Sequence, residues 1–148
     1  MCGRKGGDLV TDQSIDHSKL AELKAELGVN FARILSYYRE DGERTIAAIR
    51  DAFTARSAVA LVRPAHTLKG ESLQFGAIEL AMAAERIEKA ARDAVEDHKF
   101  CLSIETDVVR LPDLFSDALA VLCRDDNPSP MRKAIGFGRK VGFGRAGV

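Results

Sequence analysis

The alternation of apolar and polar positions along the chain predicts helices and no strand. Leu20, Leu23 and Leu27 recur at three and four residues behind Asp16 and Ser18, either of which can cap a helix, and Gly28 tolerates the left-handed closing position. Asn30 is the cap candidate for a second helix, whose apolar residues Phe31, Ile34, Leu35 and Tyr38 continue beyond Asp41-Gly42 as Ile46, Ile49 and Phe53. The pattern leaves open whether Gly42 breaks that helix or only weakens it. A third helix is predicted from a Ser57 cap to about Phe75 and a fourth from Ala77 to about Val95, with Gly76 as the stop signal between them. Alanines on the inner face of the fourth (Ala77, Ala81, Ala84, Ala91, beside Leu80 and Ile87) allow a close helix-helix approach. In the last, between about Lys99 and Leu122, the residues Ile104, Val108, Leu111, Phe115, Ala118 and Leu122 keep one stripe, and Pro112 is expected to kink it. Because nothing alternates with period two over strand length, the expected fold is all-α: an antiparallel four-helix bundle with a short additional N-terminal helix.

The flanks differ from this body. Residues 1–13 are Gly-rich and polar without periodicity and are expected to be disordered, residues 14–124 to form the bundle, and residues 125–148 to form a basic, Gly-rich, disordered tail. The tail repeats Gly-Phe-Gly-Arg at Gly136 and Gly142, and from Asn127 to Val148 it holds five basic residues (Arg132, Lys133, Arg139, Lys140, Arg145) and no acid. The formal net charge of +0 therefore joins an acidic body to a basic tail. Five charges and two phenylalanines give little affinity for a polyanion, so nucleic acid is not an expected partner.

Composition narrows the class further. Of the 148 residues, 46% are hydrophobic and 30% charged, the balance of one globular domain. Charges break every apolar run well short of the roughly 20 residues that a membrane span needs. No apolar stretch follows Met1–Gly7, so no secretory signal is read there and a cytoplasmic location is expected. Cys2, Cys101 and Cys123 form neither a CxxC pair nor an even set, and none has a histidine at metal-ligand spacing. They are expected to be reduced, with Cys101 and Cys123 filling the core.

One helix carries candidate chemistry. At about 100° per residue, Leu61, Ala65, Leu68, Ser72 and Phe75 form the inner stripe of the third helix, and His66 lies well over 100° from its centre. The histidine's own face holds Val59, Val62, Lys69, Gly70 and Leu73, an outer apolar patch without a charged cover, which is the pattern of a docking surface. Gly70 costs the helix about 1 kcal/mol relative to alanine, which implies that something must approach the backbone there. A neutral imidazole offers one lone-pair nitrogen able to take a phosphoryl group from an acyl phosphate and to give it back. Lys69, three residues on, can neutralise phosphoryl oxygens. Attack through Nε2 requires the proton on Nδ1 and an acceptor beside it. Glu88 is the candidate, because His66 stands ten residues before Gly76 and Glu88 twelve after it, at similar height on the two arms of a hairpin. An ion pair between Glu88 and Arg92 at i+4 is the plainer alternative. Arg63 and Arg86 are candidates for the rim of the docking surface, whereas His17 and His98 have no such company.

The run Ala65-His66-Thr67-Leu68-Lys69-Gly70-Glu71-Ser72, followed by Gly76-Ala77, Leu80 and Ile87-Glu88, resembles the signature of the histidine phosphotransfer domain family between about Asp16 and Leu122. The resemblance implies His66 as phosphoacceptor, Lys69 as its charge partner, Gly70 as clearance for an incoming receiver domain and Glu88 as the polar partner of the imidazole. Two residues depart from the pattern: Glu71 stands where many members have a small residue, and Pro64 is unusual two residues before the histidine.

The function expected from residues and resemblance together is a phosphorelay intermediate. It would take a phosphoryl group on His66 from an aspartyl-phosphate receiver, or from an upstream hybrid histidine kinase, and pass it to another response-regulator receiver. No Gly-rich nucleotide loop is present, so the chain is read as a phosphocarrier and not as an ATP-dependent kinase. No cofactor is expected in this chain, and the Mg2+ that transfer needs is expected in the partner receiver. A dimeric histidine-kinase hairpin fits less well, since an acidic residue usually follows the histidine there and Thr67 follows His66, and the expected state is a monomer. The alternative from another class is a helical adaptor that binds receivers without phosphoryl transfer.

Overall fold

Local signals set most helix ends. The computed structural model describes residues 15–126; the expectations for residues 1–13 and for the tail beyond Asp126 lie outside the described residues, as does Cys2. Helix α1 spans His17–Leu27, α2 Phe31–Thr54, α3 Ala58–Gln74, α4 Ile78–Asp97 and α5 Glu105–Asp126. Asp16 caps α1 by accepting from the Lys19 amide at 3.1 Å, and Ser57 caps α3 by accepting from the Ala60 amide at 3.2 Å. Gly28 closes α1 with φ +56°, as its position in the sequence suggests.

Three local expectations are corrected. Asn30 precedes α2 but does not cap it through its side chain, which instead accepts from Arg33 at 3.0 Å. A 3-10 turn over Gly28–Asn30 leads into the helix, and the Phe31 amide already finds the Gly28 carbonyl. The last helix begins at Glu105 and not near Lys99, because a second 3-10 turn, Leu102–Ile104, intervenes. Cys101 is not a core filler: it is exposed ahead of that turn, with Sγ 2.8 Å from the Ser103 hydroxyl, a hydrogen bond that holds its thiol below the usual thiol range. Cys123 does lie half-buried against the core.

The four long helices form an antiparallel bundle in which each packs beside the next in sequence and α5 closes onto α2, while the short α1 lies over α2 and α3. The stripes read from sequence face inward: Leu61, Ala65, Leu68, Ser72 and Phe75 on α3 and its end, Leu80, Ala81, Ala84, Ile87 and Ala91 on α4, and Val108, Leu111, Phe115, Ala118 and Leu122 on α5 are all buried. Each large aliphatic among them contributes about 1.5–3 kcal/mol relative to exposure. Tyr38 stacks on Phe75 at 4.4 Å between centroids and meets Phe115 edge-on at 5.4 Å, while its hydroxyl reaches the buried Ser72 hydroxyl at 2.8 Å.

Gly42 neither breaks α2 nor lies on its surface. It is buried inside the continuous helix, and a β-carbon there would overlap the Phe115 ring. Pro112 likewise stands inside α5, which runs on past it to Asp126.

The α3–α4 turn is pinned from outside. Gly76 adopts φ +79°, where a β-carbon would come within 2.8 Å of the Asp16 carbonyl oxygen. The Asp16 amide donates to the Gly76 carbonyl at 2.7 Å, and Ile15 and Ala77 form an isolated antiparallel bridge. The chain entering α1 thus clamps the turn from which the two arms of the hairpin are measured.

Candidate functional site

Helix α3 turns Leu61, Ala65, Leu68 and Ser72 toward the core and thereby sends His66 outward, where 63% of its side chain is exposed. Pro64 sits within the helix two residues earlier; having no N–H, it leaves the Ala60 carbonyl without its usual helical donor. On α4, Glu88 follows Ile87 at the edge of the inner stripe, so its carboxylate is drawn into the seam between the helices and only 7% of its side chain is exposed. The hairpin brings the two together: His66 Nδ1 lies 3.0 Å from Glu88 Oε1.

Two cations complete the cluster. Lys69 Nζ lies 2.8 Å from Glu88 Oε2 and 3.9 Å from Oε1 of the exposed Glu85. The first contact is an ion pair and not a directed hydrogen bond, since Oε2 has no donor in good angular position. Arg92, one turn along α4, donates twice to Oε1, from Nε at 3.1 Å and from Nη2 at 2.8 Å. The hairpin pairing and the i+4 pair with Arg92, alternatives at the level of sequence, occur at once on a single carboxylate.

Electrostatics then assign the proton. Burial alone would raise the Glu88 pKa, but the contacts from Lys69, Arg92 and His66 outweigh it and hold the carboxyl down at about 2. An ionised carboxylate can only accept, so the His66 ring donates from Nδ1, and in its neutral form keeps its lone pair on Nε2. The arrangement presents an exposed imidazole nucleophile whose far nitrogen is anchored on buried charge.

The family model described as "Hpt domain" matches residues 33–120, a span that contains α3 and all four residues of the cluster. The chain belongs to the Hpt domain family. Its fold is similar to that of the crystal structure of histidine-containing phosphotransfer protein B (HptB) from Pseudomonas aeruginosa PAO1, with a TM-score of 0.68 and 23% sequence identity over 76% of this chain and 93% of that one. No curated protein matches the chain. This Hpt domain is thus a histidine phosphotransfer protein with a helical-bundle fold. Among its described residues no helix is long and apolar enough to cross a membrane.

The apolar patch of this Hpt domain is distributed less evenly than its sequence suggests. Val59 is 72% exposed and Leu73 42%, but Val62 is half-buried and packs partly against the core, so it offers less surface than expected. Gly70 is exposed, and a β-carbon there would meet nothing within 4 Å, so no contact among the described residues requires glycine at this position. Beside it, Gly70, Leu73 and Gln74 of α3 and Lys19, Glu22, Leu23 and Glu26 of α1 line a cleft of about 300 Å3.

Arg86 is engaged away from the apolar patch of α3. Its guanidinium forks onto Asp107 of α5 at 2.7 and 3.0 Å, away from α3. Arg63 lines a wide groove of about 800 Å3 between α2 and α3. Sequence reasoning missed Met82, which is 51% exposed on α4; the register set by the His66–Glu88 and Lys69–Glu85 contacts carries it to the height of Ser72 and Leu73. The pairing height that selected Glu88 could have found it.

Proposed function

We propose that His66 is the phosphoacceptor of a phosphorelay intermediate, which takes a phosphoryl group from an aspartyl-phosphate receiver, or from a hybrid histidine kinase carrying one, and passes it to another receiver. The observation that carries this reading is the contact of an exposed His66 ring with the buried, ionised Glu88 at 3.0 Å. Glu88 keeps the proton on Nδ1 and fixes the ring plane, and Nε2 attacks phosphorus in line with the departing aspartate oxygen. As the N–P bond forms, the aspartate P–O bond breaks and its electron pair returns to the carboxylate. The ring gains positive charge during attack, which Glu88 compensates through the Nδ1–H it already accepts.

Lys69 supplies a cation for the phosphoryl oxygens, Val59, Leu73 and the exposed part of Val62 supply the apolar docking surface, and Gly70 gives clearance for the receiver backbone. The Mg2+ used in transfer belongs, in this proposal, to the receiver's acidic site. The chain acts as a cytoplasmic monomer that carries the group without hydrolysing ATP.

The test is incubation of the wild-type chain and of His66→Gln with a phosphorylated receiver, followed by detection of acid-labile, base-stable label. Label on the wild type and none on the variant, with the fold intact in both, is the expected outcome. Receiver binding without label on the wild type would favour the adaptor function instead.

A further inference from the structure

Glu88 has more cationic partners than an anchor for one imidazole requires. Its carboxylate, nearly closed off from water, holds the His66 ring, Lys69 on Oε2 and a two-pronged Arg92 on Oε1. The cations approach from opposite directions along the bundle axis. Lys69 comes from the Glu85 side, and Arg92 lies one turn toward the C-terminal end of α4.

Counting charges gives +1 for the cluster before transfer: one carboxylate, two cations and a neutral ring. A phosphoryl group on Nε2, with the proton retained on Nδ1, adds a dianion and a ring cation and brings the total to zero. The group would land outside the seam, on the exposed side of the ring, and a Lys69 that turned to meet it would loosen its contact with Glu88. A buried carboxylate stripped of its last cation is strongly disfavoured. Arg92 prevents that outcome, because its two N–H donors remain on Oε1 whichever way the lysine turns.

We propose that Arg92 is a positioning residue of the transfer site, which holds Glu88 ionised and in place so that Lys69 is free to exchange the carboxylate for the phosphoryl group. The inference rests on the phosphotransfer reading of His66. It assigns the two cations unequal parts: Lys69, with one undirected contact, is the exchangeable partner, and Arg92, with two directed ones, is the permanent one. Without Arg92, Lys69 would be detained on Glu88, and the incoming phosphoryl group would lack its cation.

The experiment needs no protein partner. Potassium phosphoramidate can phosphorylate His66 directly: the Nε2 lone pair forms the new N–P bond, the donor's P–N bond breaks and ammonia leaves. Rates of phosphohistidine formation would be measured for the wild type, Arg92→Gln, Arg92→Lys, Glu88→Gln and Glu88→Gln/Arg92→Gln, with melting temperatures recorded for each. The expected result is a five- to twenty-fold slower rate for Arg92→Gln, substantial recovery in Arg92→Lys, and less than a two-fold effect of Arg92→Gln in the Glu88→Gln background, where a neutral amide needs no cation. A merely structural contribution would slow both backgrounds equally. That pattern, or an Arg92→Gln rate within two-fold of wild type, would overturn the inference while leaving His66 in place. Absence of label on wild-type His66 would instead overturn the phosphotransfer reading itself, and the part given to Arg92 with it.

Discussion

The ring of Phe115 on α5 occupies the space directly above the α-carbon of Gly42 on α2, so that a methyl group at position 42 and the ring could not coexist without movement. This contact explains a glycine in mid-helix, where it costs about 1 kcal/mol relative to alanine. Gly42→Ala gains that propensity but overpacks a region in which Phe115 is already wedged against Tyr38. The expected net effect is a destabilisation of about 1–2 kcal/mol, measured by urea unfolding; Gly42→Ala/Phe115→Leu should recover part of it. A more stable single variant would show that α2 and α5 can separate at no cost.

Glu88→Ala should slow phosphoryl transfer from a receiver by about ten-fold, at the low end of what positioned proton-holding groups contribute, because water can replace part of the lost acceptor at an exposed ring. Glu88→Gln, whose amide oxygen can still accept from Nδ1–H, should lose less. Nitrogen-15 spectra of the ring should show a smaller share of the Nδ1–H tautomer in the alanine variant. Identical spectra and rates in all three proteins would remove Glu88 from the transfer step.

The ionised Glu88 also links stability to pH. Its folded pKa of about 2 lies below the ordinary 4.5, so its contribution is complete above pH 4.5 and is lost as pH falls toward 2. Solvent around the exposed Arg92 and His66 side chains screens these contacts and limits the contribution to about 1–2 kcal/mol. The stability advantage of wild type over Glu88→Gln, followed by denaturant titrations between pH 7 and pH 2.5, should therefore shrink progressively below pH 4.5. An advantage that stays constant across this range would contradict the assignment.

Glu71 is expected to behave in the opposite sense. Burial, with a smaller contribution from the charge of Asp41, raises its pKa, and its Oε1 is buried without a hydrogen-bond partner. A raised folded pKa gives stability that is present below the ordinary carboxylate value and is lost as pH rises through the folded one. Glu71→Gln should consequently stabilise the domain at pH 7 by about 0.5 kcal/mol, an effect limited by the solvent that still reaches the side chain, and should matter less at pH 4. Thermal melts at the two pH values would test this, and destabilisation at pH 7 would refute it.

The stripes that define the bundle were legible because a helix repeats its burial every three or four residues, and Leu61 to Phe75 or Ile104 to Leu122 display that period without interruption. The His66–Glu88 pairing was legible for a related reason: counting outward from Gly76 gives height along two antiparallel arms. Counting does not give depth. Nothing in the spacing indicates that Glu88 sinks into the seam, and so nothing indicates that its charge demands both Lys69 and Arg92. The exposure of Cys101 was hidden for a different reason, since a 3-10 turn over Leu102–Ile104 cannot be told from the first turn of a helix by apolar period alone. Gly42 was ambiguous because its reason for being glycine lies on α5, more than seventy positions away.

The alanine seam of α4 has a consequence for how a signal passes through this domain. Ala81, Ala84 and Ala91 are buried along α4, so this face carries few long side chains that could be rearranged. A scaffold built this way resists repacking, because buried alanines offer no alternative rotamers. Under the proposed function, information would reside in one covalent bond on His66, and donor and acceptor, arriving in turn, would meet the same relief. On that proposal the domain would serve as a stationary relay post, and whatever adaptation recognition requires would fall to its visitors.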